Sequence, residues 1–367
     1  MRRRSFLFTT TALGSIAIGA RSARSAIATF QPRLFAGGNP MAQIPTSSQG
    51  SNQKVSVNID NFLRAESDYN FQKKVDLGYF GKIGHLRQPP DIDNQPVVRV
   101  NRDTLYSFGV FDLTSPVTLT MPNSNGRFMS LLVINQDHYV KQVIYDPGDY
   151  TLTQDAIGSR YVQLAFRTLA NPDDPTDLEA AHAMQDKIVW KQANSGQFEI
   201  PNWDQTSQSD IRKHLLALGA YVPDSKRMFG DQDDVDLVRH LIGTAGGFGG
   251  NPESAAIYLN YFPSKNDGKT LYTLNVLKDV PVDGFWSISV YNAEGYFQKN
   301  PQNAYSFNNL TAKQNSDGSF TLYFGGDPKQ VNYLAIMPGW NYTVRLYRPR
   351  QEILDGSWKF PETEPVA

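Results

Sequence analysis

The chain has 367 residues and no cysteine, with 35 Lys and Arg against 36 Asp and Glu for a formal net charge of −1. Without cysteine there are no disulfides, thiolate nucleophiles or Cys-held zinc and iron–sulfur sites, and the charge balance argues against a nucleic-acid or anionic-membrane surface. Stability has to come from burial, and 21 Phe, 18 Tyr and 5 Trp supply it, since each aromatic ring can bury ~150–250 Å².

Residues 1–28 read as an export signal of the twin-arginine type. Arg2-Arg3-Arg4-Ser5-Phe6-Leu7 leads into an apolar run from Phe6 to Ala20, and Ala26-Ile27-Ala28 forms a small-residue cleavage pattern. The run is 15 residues long, too short for the ~18–20 that span a bilayer. Its removal takes five Arg and no acid, leaving a mature chain that is more acidic, has no transmembrane anchor and is expected in the periplasm or outside the cell. Residues 29–54 mix Pro, Gly, Ser, Gln and Asn without a repeating apolar face and read as a flexible linker.

A helix is predicted from Ser56 or Asn58 through about Lys82, with Ile59, Phe62, Leu63, Tyr69 and Phe80 on its buried stripe. It opens a first β domain over residues 55–172. Short β-branched and aromatic runs follow at Val97–Val100, Leu105–Phe111, Val117–Met121, Phe128–Ile134, Tyr139–Tyr145 and Tyr161–Thr168, with turns at Asn125-Gly126 and Asp146-Pro147-Gly148. Such density indicates antiparallel sheets rather than alternating βαβ units. Residues 173–250 read as a helical connector with helical patterns over Asp177–Trp190, around Ile211, Leu215 and Leu218, and from Val235 to Ile242; the glycine-rich Gly243–Gly250 closes it as an interdomain hinge. Strands resume in a second β domain over 251–350, at Thr270–Leu277, Trp286–Tyr291, Phe320–Phe324 and Tyr342–Tyr347, and Asp317-Gly318 is the best hairpin signal. Residues 351–367 form a tail. The expected fold is α+β, mainly β: two antiparallel β-sandwich, jelly-roll-like domains joined by the helical connector.

Several signatures of known chemistry are missing. There is no G-x-S-x-G elbow and no H-E-x-x-H pair, and the five histidines lie at least 26 residues apart. The Gly243–Gly250 stretch lacks the register of a phosphate-binding loop, and Asp231–Asp236 fits an acidic helix start better than a calcium loop. The stronger candidate is Val97–Ser107. Strand alternation there would place Val98 and Val100 on one face and Arg99, Asn101 and Asp103 on the other, a polar row that either faces water or lines a wet cavity. Arg102, Asp103 and His138 are the candidate catalytic residues; the competing reading of Arg102-Asp103 is a structural pair, and the ring of His138 could be oriented by Asp137 only at a turn or bulge. Arg99, Asn101, Tyr106, Tyr291, Arg345 and Tyr347 are the candidate ligand-binding residues, provided the polar faces of the C-terminal strands converge.

Two sets of motifs resemble known families. Asn101-Arg102-Asp103-Thr104-Leu105-Tyr106-Ser107 and Gly126-Arg127-Phe128-Met129-Ser130-Leu131 resemble the domain of unknown function DUF1254. Asp283–Tyr291, Asn315–Ser319, Arg345–Pro349 and Leu354–Trp358 resemble its companion, DUF1214. The resemblance covers most of residues 55–362 and implies two sandwich or jelly-roll-like domains with helices between them, common in exported bacterial proteins. It supplies no agreed catalytic set. Asn332-Tyr333-Leu334-Ala335 departs from the Asn-Trp-Leu-Pro usual in relatives.

These readings lead to an exported hydrolase or lyase acting on a small molecule or glycan. The competing readings are a non-catalytic ligand-binding or assembly protein, and a metalloprotein. No cofactor and no metal ligand is assigned, nucleic acid is not an expected partner, and a second copy of the chain is a further candidate partner.

Overall fold

A computed structural model describes residues 53–95 and 97–366. The expected signal at 1–28, and all but the end of the expected linker at 29–54, lie outside the described residues. Helix α1 runs Phe62–Asp76, within the predicted span but shorter at both ends. Before it, Asn58 and Asn61 exchange side-chain-to-backbone hydrogen bonds, which fixes a turn where the helix was expected to begin. After it, Gly78 at φ +79 takes the left-handed conformation that stops helices, and Phe80 instead bridges to Val110.

The first β module holds β1 (Ile83–His85), β2 (Thr104–Asp112), β3 (Val117–Met121), β4 (Met129–Asn135), β5 (Val140–Ile144), β6 (Gly148–Leu152), the short α2 (Gln154–Ile157), β7 (Tyr161–Leu169), α3 (Pro175–Gln185) and β8 (Val189–Gln192). A five-stranded sheet in the order β1-β2-β7-β4-β5 faces a three-stranded sheet in the order β6-β3-β8. Phe111, Leu131, Val133, Leu164 and Phe166 from one meet Val117, Leu119 and Leu152 from the other in a buried core. Asn125-Gly126 turns as expected, with both residues at positive φ. Two expectations are corrected. Residues 97–100 form no strand, and Trp190, expected in a helix, lies on β8 beside β3.

Helices α4 (Gln205–Gly219) and α5 (Leu237–Gly246) pack with α1 around Phe62, Ala65, Leu215 and Ile242. Asp236 caps α5 by accepting from the Arg239 N–H, so the acidic run does begin a helix. The second β module follows with β9 (Ala256–Tyr261), β10 (Tyr272–Val276), β11 (Trp286–Tyr291), β12 (Ser306–Asn308), β13 (Phe320–Phe324), β14 (Tyr333–Leu334), β15 (Asn341–Tyr347), the short α6 (Gln351–Leu354) and β16 (Glu364–Pro365). Its two four-stranded sheets, β14-β13-β10-β16 and β12-β11-β15-β9, enclose Leu274, Ile288, Leu322, Trp340 and Val344. Pairing is antiparallel except between β13 and β14. The Asp317-Gly318 turn is formed, with Gly318 N–H bonding the Asn315 carbonyl, but the strand after it pairs with β10 rather than with the segment before the turn. The chain is thus mainly β, with few helices and several antiparallel sheets, as expected.

The two modules meet through polar faces. In β11 and β15, Ile288 and Val344 point into the core while Ser287, Arg345, Ser289 and Thr343 sit as cross-strand pairs on the other face. That face is completely buried because the 97–103 loop and β7 of the first module lie against it.

Candidate functional site

The loop before β2 is shaped by its own side chains. Arg99 takes φ +52, and the Asn101 carbonyl oxygen accepts the Asp103 N–H at 2.9 Å, an Asx-type turn that folds the segment back before the strand starts. The expected two-faced alternation does not exist here, because there is no strand. Burial nonetheless separates the residue types: Val97 and Val98 are exposed while Asn101 and Asp103 are 8% and 2% exposed. Hydrogen bonding, rather than pleating, turns the polar groups inward.

Asp103 is the chemically unusual member. Its Oδ1 accepts from Asn308 Nδ2 at a long 3.4 Å, and the buried Ser287 hydroxyl faces the carboxyl without a well-aligned hydrogen bond to Oδ2. Burial raises the acid above its usual range, and the Arg345 charge, Ser287 and Asn308 only partly offset this. Asp103 lines a cleft of about 360 Å³ between the modules, together with Arg102, Asp173, Asn303, Tyr305 and Asn308. Arg102 is anchored at this wall by a hydrogen bond to the Pro90 carbonyl and lies 5.6 Å from the Tyr305 ring centre. The arrangement offers a protonatable acid, a fixed cation, amides and one ring face to a small polar ligand. A second cleft of about 340 Å³ is walled by Phe128, Tyr145, Asp283 and Arg348.

The six candidate ligand-binding residues fall into one buried network beside Asp103. Arg345 donates to the Ser289 hydroxyl at 2.9 Å, the Arg99 carbonyl at 2.8 Å and the Tyr291 hydroxyl at 2.6 Å. Tyr291 in turn donates to the Val100 carbonyl. The Arg99 guanidinium reaches Thr343 at 3.0 Å and sits between the Phe262 and Tyr291 rings. Asn101 Nδ2 faces the hydroxyls of Tyr347 at 3.1 Å and Tyr106 at 3.4 Å. Tyr347 is raised well above 10 by burial and by the neighbouring Tyr258 and Tyr106, so it stays a phenol and a donor.

His138 is not among these residues. It occupies the β4–β5 turn at φ +63, fully buried, stacked between Phe248 at 4.2 Å and His240 at 5.5 Å. Nε2 accepts the Gly249 N–H at 2.8 Å, and Nδ1 bonds the Thr244 hydroxyl at 2.8 Å; together these assign the neutral ring with its proton on Nδ1. Asp137 turns away to a bidentate pair with Arg64. Both ring nitrogens are therefore occupied by structural partners, and what His138 holds in place is the glycine loop after α5. Gly249 presents its N–H to His138 and its carbonyl to Arg167 at 2.8 Å, so the stretch expected as a hinge is packed against the first module.

Sequence reasoning did not single out Arg167, Asn308 or Tyr258. Arg167 had a signal: it is the one charged residue in the otherwise uncharged run of β7, on a strand whose every residue is buried. Asn308 lies on a three-residue strand too short to leave a pattern. Among the described residues, no group of three or more His, Cys, Asp and Glu side chains is placed to hold a metal, and no helix is long and apolar enough to cross a membrane.

Residues 80–192 match the family model described as a protein of unknown function (DUF1254), and residues 257–351 match that described as a protein of unknown function (DUF1214). Each match falls on one β module. Among solved structures, the chain is similar to the VPA0106 protein from Vibrio parahaemolyticus, at 20% identity and a TM-score of 0.64 over 84% of this chain and 98% of that one; this likeness is one of fold. A second similarity, to an uncharacterized protein from Burkholderia cenocepacia, has 12% identity and a TM-score of 0.45 over 83% of this chain and 86% of that one. No curated protein matches the chain.

Proposed function

We propose, from the premise that this chain belongs to the proteins joining a DUF1254 domain to a DUF1214 domain, that it is a hydrolase or lyase acting on a small neutral or weakly anionic molecule or glycan in the intermodule cleft. The observation that carries this reading is the buried Asp103 carboxyl, held only by weak contacts with the neutral Asn308 and Ser287, in the lining of that cleft. A carboxyl made hard to ionise by burial can donate a proton to a leaving group near neutral pH, the role such environments suit. Arg102, fixed on the same wall, would hold negative charge on the substrate or the charge that develops during reaction. Proton transfer is assigned to Asp103 and not to His138, whose nitrogens are already engaged.

A non-catalytic reading has its own support. Asn303, Asn308 and the Tyr305 ring offer the amide and ring-face contacts that hold hydroxylated ligands without turnover. One experiment separates the two: a panel of ester, glycoside, amide and β-elimination substrates with the wild type, Asp103→Asn and Arg102→Ala. The enzyme reading expects turnover that falls at least 100-fold in Asp103→Asn while the variant remains folded. Ligand binding with no turnover, weakened in Arg102→Ala, would establish the binder instead. The N-terminal Arg2-Arg3-Arg4-Ser5-Phe6-Leu7 pattern supports export by the twin-arginine route. If so, replacing the arginines by lysine should leave the protein in the cytoplasmic fraction.

A further inference from the structure

The five-stranded sheet has a second face, turned away from the module core, and its cross-strand rows differ in character. One row is Tyr106, Arg167 and Ser130. The next is Phe108, Ala165, Leu132 and Val143, all apolar. Register places the rows side by side, because residues two apart on a strand share a face.

The polar row is built almost entirely of donors. Arg167 is 7% exposed and forms no salt bridge among the described residues; Nη2 bonds the Gly249 carbonyl, while Nη1, also buried, makes no well-aligned hydrogen bond and the guanidinium has only neutral phenols, Tyr106 foremost, beside it. The hydroxyls around it already accept from amides: Tyr258 from Asn251 at 2.6 Å, and Tyr347 and Tyr106 from Asn101. Each therefore keeps its own proton to give. Burying an unpaired guanidinium is costly, and it persists where an anion compensates it or where function requires it. Three neutral phenols and a guanidinium lie close together without a carboxylate, a setting that suits a group that only accepts.

The apolar row defines the rest of the ligand. Phe108 and Val143, with Phe248 from the glycine loop, are half-buried around Leu132 and Ala165, so apolar surface lies next to the donors. Lys74 of α1, 4.0 Å from the Phe108 ring centre, adds a second cation without a salt-bridge partner among the described residues. Tyr145, which walls the 340 Å³ cleft, lies close enough to Arg167 to feel its charge.

We propose that this sheet face binds a small organic carboxylate, its carboxylate held by Arg167 Nη1 and the hydroxyls of Tyr106 and Tyr258 and its apolar body laid along Phe108, Val143 and Phe248. The site is distinct from the Asp103 cleft and does not depend on any activity there. Two-point recognition predicts a preference for acids over uncharged molecules of the same shape.

The test is calorimetric titration of the full chain with benzoate and hexanoate, with benzamide and hexanamide as neutral counterparts and inorganic phosphate as a third probe. Saturable carboxylate binding is expected, at least tenfold tighter than the amides or phosphate. Arg167→Met should lose it at least tenfold while keeping or raising the thermal midpoint, since an uncompensated buried charge is removed. Tyr258→Phe, a milder change, should weaken it several-fold, and Asp103→Asn should leave it unchanged. No saturable binding by wild type, equal affinity for acid and amide, or tighter binding of phosphate would overturn the proposal. Undiminished binding in Tyr258→Phe, or loss in Asp103→Asn, would do the same by placing the anion elsewhere.

Discussion

Asn101 holds the two β modules together at one point: its side-chain amide donates to the Tyr347 hydroxyl at 3.1 Å while its carbonyl oxygen accepts the Asp103 N–H at 2.9 Å. Residues 246 positions apart are joined through one side chain that also shapes the turn before β2. Asn101→Ala would orphan a buried backbone N–H and remove the donor facing two tyrosine hydroxyls. Each buried group left unsatisfied costs ~1–3 kcal/mol, so a loss of about 2–4 kcal/mol is expected in urea denaturation, with one cooperative transition. A loss below about 0.5 kcal/mol would mean the network closes without it.

Asp103 should make the protein less stable as pH rises. Its folded acid is raised above the unfolded value near 3.8, so between the two values the folded chain binds more protons and stability falls with increasing pH. The penalty is complete above the folded value and absent below about pH 3.8. Asp103→Asn removes the charge while keeping the shape. Its thermal midpoint should exceed that of wild type at pH 8, and the gap should shrink as pH is lowered toward 4. A gap that widens on acidification would mean that Asp103 is ionised and stabilised in the fold.

Asp112 behaves in the opposite sense. Burial alone would raise this acid, but hydrogen bonds from Arg160 and the Thr114 backbone outweigh that and lower it. Arg160 contributes Nε at 3.2 Å and Nη2 at 2.9 Å to the same oxygen, and Gln197 N–H also reaches it. A depressed carboxylate adds stability that is present above its unfolded value and lost as pH falls through its folded one. Asp112→Asn should cost about 1–3 kcal/mol at pH 7, less than a fully enclosed ion pair would, because Arg160 is 36% exposed and water screens the interaction. The difference from wild type should fade as pH falls below the ordinary carboxylate value near 3.8, measured by chemical denaturation across pH.

Local signals carried most of the fold. β2, β3, β7, β11, β13 and β15 sit where β-branched and aromatic runs predicted them, because each has apolar residues whose burial fixes its register. What could not be read was pairing. Val189 and Trp190 look like the end of a helix and lie on a strand because β3 offers it an edge. Residues 97–100 look like a strand and form none, because Arg99 and Asn101 bend the chain. At the site, the residue types were legible and their partners were not. Arg345 and Tyr291 stand out as polar residues on strands, but their common target, the 97–103 backbone, is some 200 positions away. Asp103 was visible as a charged residue beside a strand; that Asn308 would complete its surroundings depended on how β12 docks on β11. His138 drew attention as the neighbour of an acid, yet the acid went to Arg64 and the ring to a glycine loop 111 residues on.

That ring makes its own prediction. Burial, with the stacked His240 adding to it, holds the His138 imidazole well below its usual 6.5, and protonation would turn Nε2 from acceptor to donor against the Gly249 N–H. An unfolded histidine takes up its proton as pH falls through about 6.5 while the folded one does not, so between these values the unfolded chain binds more protons and stability declines with falling pH. The contribution of His138 is thus complete above about pH 6.5 and eroded below it. His138→Asn suits the test, because asparagine tolerates the positive φ of this turn and its amide does not titrate. At pH 7.5 the variant should be less stable by about 1–2 kcal/mol, for the lost ring packing and hydrogen bonds. By pH 5.5 the gap to wild type should have narrowed, since only wild type carries the protonation penalty; His85, itself lowered by burial, is common to both chains and cancels in the difference. A gap unchanged between the two pH values in urea denaturation would show that His138 titrates alike folded and unfolded, which the buried, doubly bonded ring does not allow.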